Sequence, residues 1–258
     1  MIIFENPHSL AIAAAQSFQE LAQTAITARG RFNVALAGGS TPKVIYEKLA
    51  DLELPWAQIH LYWGDERLVP ASDSRSNYRM VFEALLKKIS IPTENVHLVQ
   101  LQFETELSNY DPSQADSRSL PHKKPLGVGE GLVSALPFTD FEVEHILNSY
   151  ITELEHIQFD LIHLGLGTDG HMASLFPASD LETTQSVQLT FPTAGLEPQV
   201  QRLSLSLHTI NAARVKQFFV TGRSKKPILE QIRNGADYPA ARVQNAEWWL
   251  DQAASLGE

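Results

Sequence analysis

The stretch Phe159-Asp-Leu-Ile-His-Leu-Gly165-Leu-Gly-Thr-Asp169-Gly-His171 decides how this chain is read. An apolar run ends in a glycine-rich turn, and a carboxylate and an imidazole follow two residues apart. Strands end in this way where an α/β enzyme keeps its chemistry. The glycines let backbone amides approach a ligand, and histidine is the side chain whose ordinary pKa lies nearest neutrality. The same letters spell Gly165-x-Gly167-x-x-Gly170, the pattern of a dinucleotide fingerprint. Two features reject that reading. His171-Met-Ala-Ser-Leu-Phe-Pro177 leaves little room for a helix, and no second strand ending in an acid follows about 20 residues on.

Outward from this stretch, strands alternate with helices. Residues 8–28 carry apolar side chains at helical spacing, and 31–37 read as a buried strand. Thr41 is placed as an N-cap with Pro42 at the first helical position. A second strand spans 59–63, a helix 76–88, and a short strand 96–100. A helix is expected over 140–156, a half-exposed strand over 202–207, a helical turn over 211–215, a strand over 216–220 and a helix over 227–234. The run from Trp248 to Ala254 is expected to form a docking helix. The alternation predicts an α/β fold: a doubly wound, mostly parallel sheet with helices on both faces, three layers in αβα order. The 258 residues, 43 % of them hydrophobic, suffice for a single α/β domain over 1–258. Its one irregular region is a polar loop or insertion at about 101–140, which includes the cluster Gly127-Val-Gly-Glu-Gly131.

In an open parallel sheet, ligands bind outside the carboxyl ends of the strands. Four strand ends here carry glycine with polar or charged residues: Gly38-Gly39-Ser40-Thr41, Gly64-Asp65-Glu66-Arg67, Gly165 to His171, and Gly222 to Lys226. All fall on one rim. Gly38, Gly39, Ser40 and Thr41 stand before a helix and offer amides and hydroxyls to an anion, without the Gly-Lys-Ser/Thr of a nucleotide loop. Arg67 and Lys225 add cations, with Lys226 an adjoining alternative. Together they suit one phosphate monoester.

Bulk composition narrows the partners. A net charge of −10 argues against nucleic-acid and anionic-membrane binding, so an anionic ligand needs a local basic pocket. Without cysteine there is no disulfide, thiolate metal site or cysteine nucleophile. No basic residue precedes Arg29 and no apolar run is long enough to span a bilayer, so a cytoplasmic protein is expected. Gly-x-Ser-x-Gly and His-Glu-x-x-His are absent. Ser174 reads as a packing or turn hydroxyl. That leaves His171 as a general base acting on water. His163, within the strand, reads as a core histidine, and His60, His97 and His208 likewise.

In their order and spacing these motifs resemble the 6-phosphogluconolactonase family, within the wider glucosamine-6-phosphate deaminase superfamily. The residues that carry the resemblance are Ala37-Gly-Gly-Ser-Thr-Pro-Lys43, Trp63-Gly-Asp-Glu-Arg67 with Ser76-Asn77-Tyr78, Leu164 to Pro177, and Thr221-Gly-Arg-Ser-Lys225. Deaminases typically follow Asp-Gly-His with a run such as Phe-Asn-Glu-Pro, whose glutamate serves amine chemistry. Here the run is Ser174-Leu-Phe-Pro177, with no acid, and Arg67 stands where deaminases usually carry tyrosine.

The resemblance implies hydrolysis of 6-phospho-D-glucono-1,5-lactone to 6-phospho-D-gluconate, with no metal or cofactor. A glucosamine-6-phosphate deaminase or a sugar-phosphate sensor is the alternative. It implies His171 as base and backbone amides between Gly167 and Gly170 for the oxyanion. Asp169 or Asp65 would orient the imidazole or bind sugar hydroxyls. Gly38, Gly39, Ser40, Thr41, Arg67 and Lys225 would hold the phosphate, with Asn77 and Arg202 as further candidates. The partner expected is this small phosphosugar, with no nucleic acid or membrane, bound to a monomer or homodimer.

Overall fold

The computed structural model describes residues 1–99 and 138–255. The polar region expected over 101–140 lies outside them apart from its last three residues, and so does its glycine cluster.

The chain opens with a strand, β1 (Ile2–Phe4), and a long helix, α1 (Pro7–Arg29). Asn6 caps α1 by accepting from the amides of His8 and Ser9, and Gly30 ends it at φ 78°, a left-handed conformation that suits glycine. Leu10, Ala11, Ala14, Ala15, Phe18, Ala22 and Ala25 form its buried stripe, at the spacing of one helical face. β2 (Phe32–Leu36) is buried throughout, as befits a central parallel strand. α2 (Ser40–Leu49) follows. Its N-cap is Gly39 at φ 105°, and no side chain caps it. This corrects the expected cap at Thr41: the helix starts two residues earlier, on a backbone conformation that only glycine adopts readily.

β3 (Ile59–Trp63) passes through Gly64 directly into β4 (Asp65–Arg67), which belongs to a different sheet. α3 (Asn77–Ala84) is capped by Ser76 and runs on into a 3₁₀ turn at Leu86–Lys88. The strand expected at 96–100 reduces to an isolated bridge between Val96 and Leu61. α4 (Asp140–Glu153) starts on a capping box between Thr139 and Glu142, and β5 (Leu161–Leu164) follows it. β6 (Val187–Thr190) and β7 (Arg202–Leu205) come next. Then come α5 (Leu207–Ala212), β8 (Val215–Val220), α6 (Lys226–Arg233) and β9 (Glu247–Asp251).

Among the described residues six strands form a parallel sheet in the order β1-β9-β8-β5-β2-β3, flanked by helices. The doubly wound fold expected from the alternation is therefore present. Its crossovers run outward in opposite directions from the neighbours β5 and β2, which makes the gap between their carboxyl ends a topological switch point.

Three further expectations are corrected. Trp248 to Ala254 is no helix: Glu247–Asp251 pairs in parallel with both β8 and β1, and Trp248 stacks on Phe218 at 4.0 Å. Its apolar run sits inside a sheet covered on both faces, where a strand shows no alternation. β7 is buried along its whole length because β4 and β6 flank it in a second, antiparallel sheet of three strands. The helical turn expected at 211–215 is α5, which ends at Ala212 because Val215 already belongs to β8.

Candidate active site

The parallel order puts the carboxyl ends of β2, β3, β5 and β8 on one rim. At its centre is the turn after β5. His171 Nδ1 lies 2.5 Å from Asp169 Oδ1, and both side chains are about a quarter exposed, at 23 % and 24 %. Burial works to raise the Asp169 pKa, but the hydrogen bonds and charge of His171 hold it below the usual carboxylate value. Asp169 Oδ2 is buried without a partner. The choice left open between two acids beside His171 thus falls to Asp169 by position. Asp65 is engaged elsewhere: its Oδ2 accepts from Ser174 Oγ at 2.6 Å.

The glycines of this turn have a different task from the one expected. The amide of Gly167 donates to His171 O at 2.8 Å, and that of Gly170 to Gly167 O at 3.1 Å. Both donors close the turn on itself, so neither points at a ligand, and the oxyanion role expected of them does not fit. What the turn needs is space. A Cβ at Gly167 would overlap the His171 ring, and one at Gly170, where φ is 83°, would overlap the ring of Tyr238. Ala240 N also donates to Gly170 O at 3.1 Å, so the segment around Tyr238 braces the turn from behind.

Thr41 Oγ1 lies 2.7 Å from Thr221 Oγ1, which ties the turn after β2 to the turn after β8. Asp251, at the end of β9, accepts from Gly222 N at 3.0 Å and so holds the second turn in place. Gly38 is where the chain passes Asn77 too closely for any side chain. Gly39 and Ser40 are exposed at the start of α2. Asn77 is buried, and its Nδ2 donates to Asp65 O at 2.8 Å. It braces the rim and its amide is already engaged.

Among the described residues Lys225, Arg67 and Arg202 bring positive charge to this rim. Lys225 is half-buried; burial pushes its pKa down while the charge of Asp169 pulls it up, which places Lys225 in the field of the Asp169–His171 pair. Arg67 and Arg202 lie opposite one another in the β4–β7 register. Like charges so placed repel unless an anion compensates them. Arg67 Nη1 donates to Arg75 O at 2.6 Å and Arg202 Nη2 to Pro198 O at 3.1 Å, while the Nε of each is buried without a partner.

Glu66 fixes the frame. Its buried carboxylate accepts from the amides of Arg67, Asn77 and Tyr78, each at 2.7 Å, and from Ser76 Oγ at 3.2 Å. Burial pushes its pKa up to about 7 against those backbone donors. Sequence reasoning assigned no role to Glu66, Thr221, Asp251 or Tyr238. Glu66 and Thr221 stood inside the quoted motifs, but Asp251 was hidden by the helical reading of its segment.

His163 is the core histidine expected: fully buried and ringed by Phe18, Tyr46 and Phe219, with desolvation lowering its pKa to about 3. Its Nδ1 lies 3.5 Å from Tyr46 Oη, and its Nε2 has no partner. His60 and His97 bond to each other at 3.0 Å, and His97 Nδ1 lies 2.6 Å from Glu153 Oε1. Among the described residues no group of His, Asp or Glu side chains is arranged to hold a metal ion, and no helix is long and apolar enough to cross a membrane.

A family model described as "Glucosamine-6-phosphate isomerases/6-phosphogluconolactonase" matches residues 5–251. A 6-phosphogluconolactonase of Synechocystis sp. is 36 % identical over 237 residues, 89 % of this chain and 86 % of its own. The crystal structure of 6-phosphogluconolactonase from Thermotoga maritima superposes with a TM-score of 0.74 at 28 % identity, over 97 % of this chain and 98 % of that one. The three-dimensional structure of 6-phosphogluconolactonase from Trypanosoma brucei gives a TM-score of 0.75 at 26 % identity, over 98 % of this chain and 97 % of that one.

Proposed function

The chain belongs to the glucosamine-6-phosphate isomerase/6-phosphogluconolactonase family, and on that footing we propose that it hydrolyses 6-phospho-D-glucono-1,5-lactone to 6-phospho-D-gluconate. The observation that carries the mechanism is the Asp169–His171 pair, 2.5 Å apart on a rim lined with cations. With Nδ1–H donating to Asp169, the imidazole presents Nε2 as the base. His171 takes a proton from water as the water oxygen bonds to the lactone carbonyl carbon. The tetrahedral oxyanion then collapses, the bond to the ring oxygen breaks, and that oxygen recovers the proton from His171. A δ-lactone is an activated ester, so a positioned base, worth about 10²–10⁴-fold, is help enough.

In the turn after β5 the oxyanion is met by the amides between the two glycines, those of Thr168 and Asp169, since those of Gly167 and Gly170 are engaged. The substrate phosphate is held by Gly38, Gly39, Ser40 and Thr41 at the start of α2, joined by Arg67, Arg202 and Lys225. Anchoring the phosphate places the carbonyl against His171, so remote binding energy serves the chemical step. The whole chain acts as one catalytic unit in this reading, as a monomer or homodimer in the cytoplasm, in the oxidative pentose phosphate route. Deamination would call for an acid after the Asp-Gly-His turn, and Ser174-Leu-Phe-Pro177 has none.

The test is hydrolysis of freshly prepared 6-phosphoglucono-δ-lactone, with the spontaneous reaction subtracted. Acceleration well above background is expected; a rate equal to background would sink the reading.

A further inference from the structure

One aromatic ring connects the base to a cation across the site. Phe176 is 1 % exposed. Its ring centroid lies 4.9 Å from that of His171, with the planes tilted by 49°. The guanidinium carbon of Arg202 lies 5.4 Å from the same centroid. Local backbone geometry delivers the ring to this place. Leu175 N donates to Met172 O at 2.9 Å, and the chain turns through Ala173 at φ 45°, a left-handed conformation that costs a residue with a Cβ. The turn folds the chain back, so that Phe176 comes to rest against His171.

Arg202 has little else to hold it. Its Nη2 donates to Pro198 O at 3.1 Å, and its Nε is buried with no partner. On one side its register partner is Arg67, a like charge; on the other it is Thr190, whose Oγ1 is also buried without a partner. The charge of Asp65 is the compensation within reach. A guanidinium within about 6 Å of a ring face is drawn to it by the ring quadrupole, more strongly when water is excluded.

We propose that Phe176 is a positioning residue for substrate binding: its ring seats the Arg202 guanidinium, and by resting on His171 it sets where that cation stands relative to the base. This goes beyond the proposed reaction but rests on its assignment of Arg202 to the phosphate. Arg202 touches the phosphate, and Phe176 acts through Arg202. Replacing the ring by an aliphatic side chain of similar bulk keeps the core filled and removes the seat.

The experiment is a double-mutant cycle of Phe176→Leu and Arg202→Gln. The dissociation constant of 6-phosphogluconate is read by titration calorimetry on the full chain, with folding checked by thermal melting. Phe176→Leu is expected to weaken binding about fivefold, within the range of a desolvated cation–π contact. Arg202→Gln is expected to weaken it further, and the double variant to bind no worse than Arg202→Gln alone. Additive losses would overturn the proposal, since a ring that only fills space loses the same whether Arg202 is present or not. No loss on Arg202→Gln would overturn it too, together with the phosphate role of Arg202. If Phe176→Leu does not fold, Phe176→Met enters the same cycle under the same criterion. Lactone hydrolysis by the unaltered protein is measured alongside. A coupled cycle without hydrolysis sinks the enzymatic reading alone, whereas hydrolysis with an additive cycle sinks the positioning role alone.

Discussion

Asp160 and Asp169 stand at opposite ends of β5, and their surroundings differ in kind. Asp160, before the strand, is saturated. It accepts from Arg29 Nη2 at 2.7 Å and from Asn33 N at 2.9 Å, and Arg214 Nε lies 3.3 Å away. Asp169, after the strand, has one oxygen on His171 and the other buried with no partner. At the amino end of β5 the carboxylate is closed by complementary charge. The carboxyl end keeps open donors and acceptors, the cations Arg67, Arg202 and Lys225, and an alanine in a left-handed turn. A carboxylate saturated by charge serves stability, whereas one left with an open oxygen beside an imidazole is what a ligand completes.

The largest expected effect lies at the open end. His171→Ala should lower kcat by at least about tenfold, and by up to the 10²–10⁴-fold a general base supplies, with KM little changed. A raised KM at unchanged kcat would make His171 a binding residue and move the base elsewhere.

Matched substitutions of the two carboxylates test the contrast itself. Asp169→Asn should lower kcat by about tenfold or more while thermal stability hardly moves. Asp160→Asn should leave kcat/KM unchanged and cost about 1–3 kcal/mol of stability in denaturant unfolding, because charge-assisted bonds to Arg29 and Asn33 are lost. Equal loss of activity from both would erase the distinction.

The middle of the strand responds to pH. His163 has its folded pKa lowered from 6.5 to about 3 by burial. Between those values the unfolded chain binds a proton that the folded chain refuses, so stability is lost as pH falls through that window. His163→Phe should flatten the acid side of the stability–pH profile, measured by urea unfolding at a series of pH values. An unchanged slope would mean other groups govern acid unfolding.

The smallest effect is expected next to the base. Ala173→Gly relieves the left-handed strain at φ 45° and adds freedom to the unfolded chain, so the net change in stability should stay within about 1 kcal/mol. Any sizeable fall in kcat from this change would show that the strained turn aims His171.

Much of this site was legible beforehand because its parts are local. Gly38 to Thr41, Arg67, Asp169, His171 and Lys225 each follow a buried strand, and a glycine turn after an apolar run is written in consecutive residues. The misreadings are where a neighbour decides. Trp248-Trp-Leu gives no periodicity that separates a buried strand from a helix, and pairing with β1 and β8 settled it. The cap of α2 is Gly39 rather than Thr41 because a backbone angle, not a side chain, opens the helix. Gly167 and Gly170 read as ligand-facing donors in the sequence, whereas in the fold their amides close the turn.

The residue order by itself determined that strands and helices alternate, that four strand ends carry glycine and charge, and that an acid and an imidazole lie within one turn. These depend on spacing along the chain, which folding does not alter. Only the tertiary structure decided which groups meet: Asp169 rather than Asp65 beside His171, Thr41 against Thr221, and Phe176 between His171 and Arg202. Those encounters depend on strand order and on the packing of residues far apart in the chain, which no local pattern encodes.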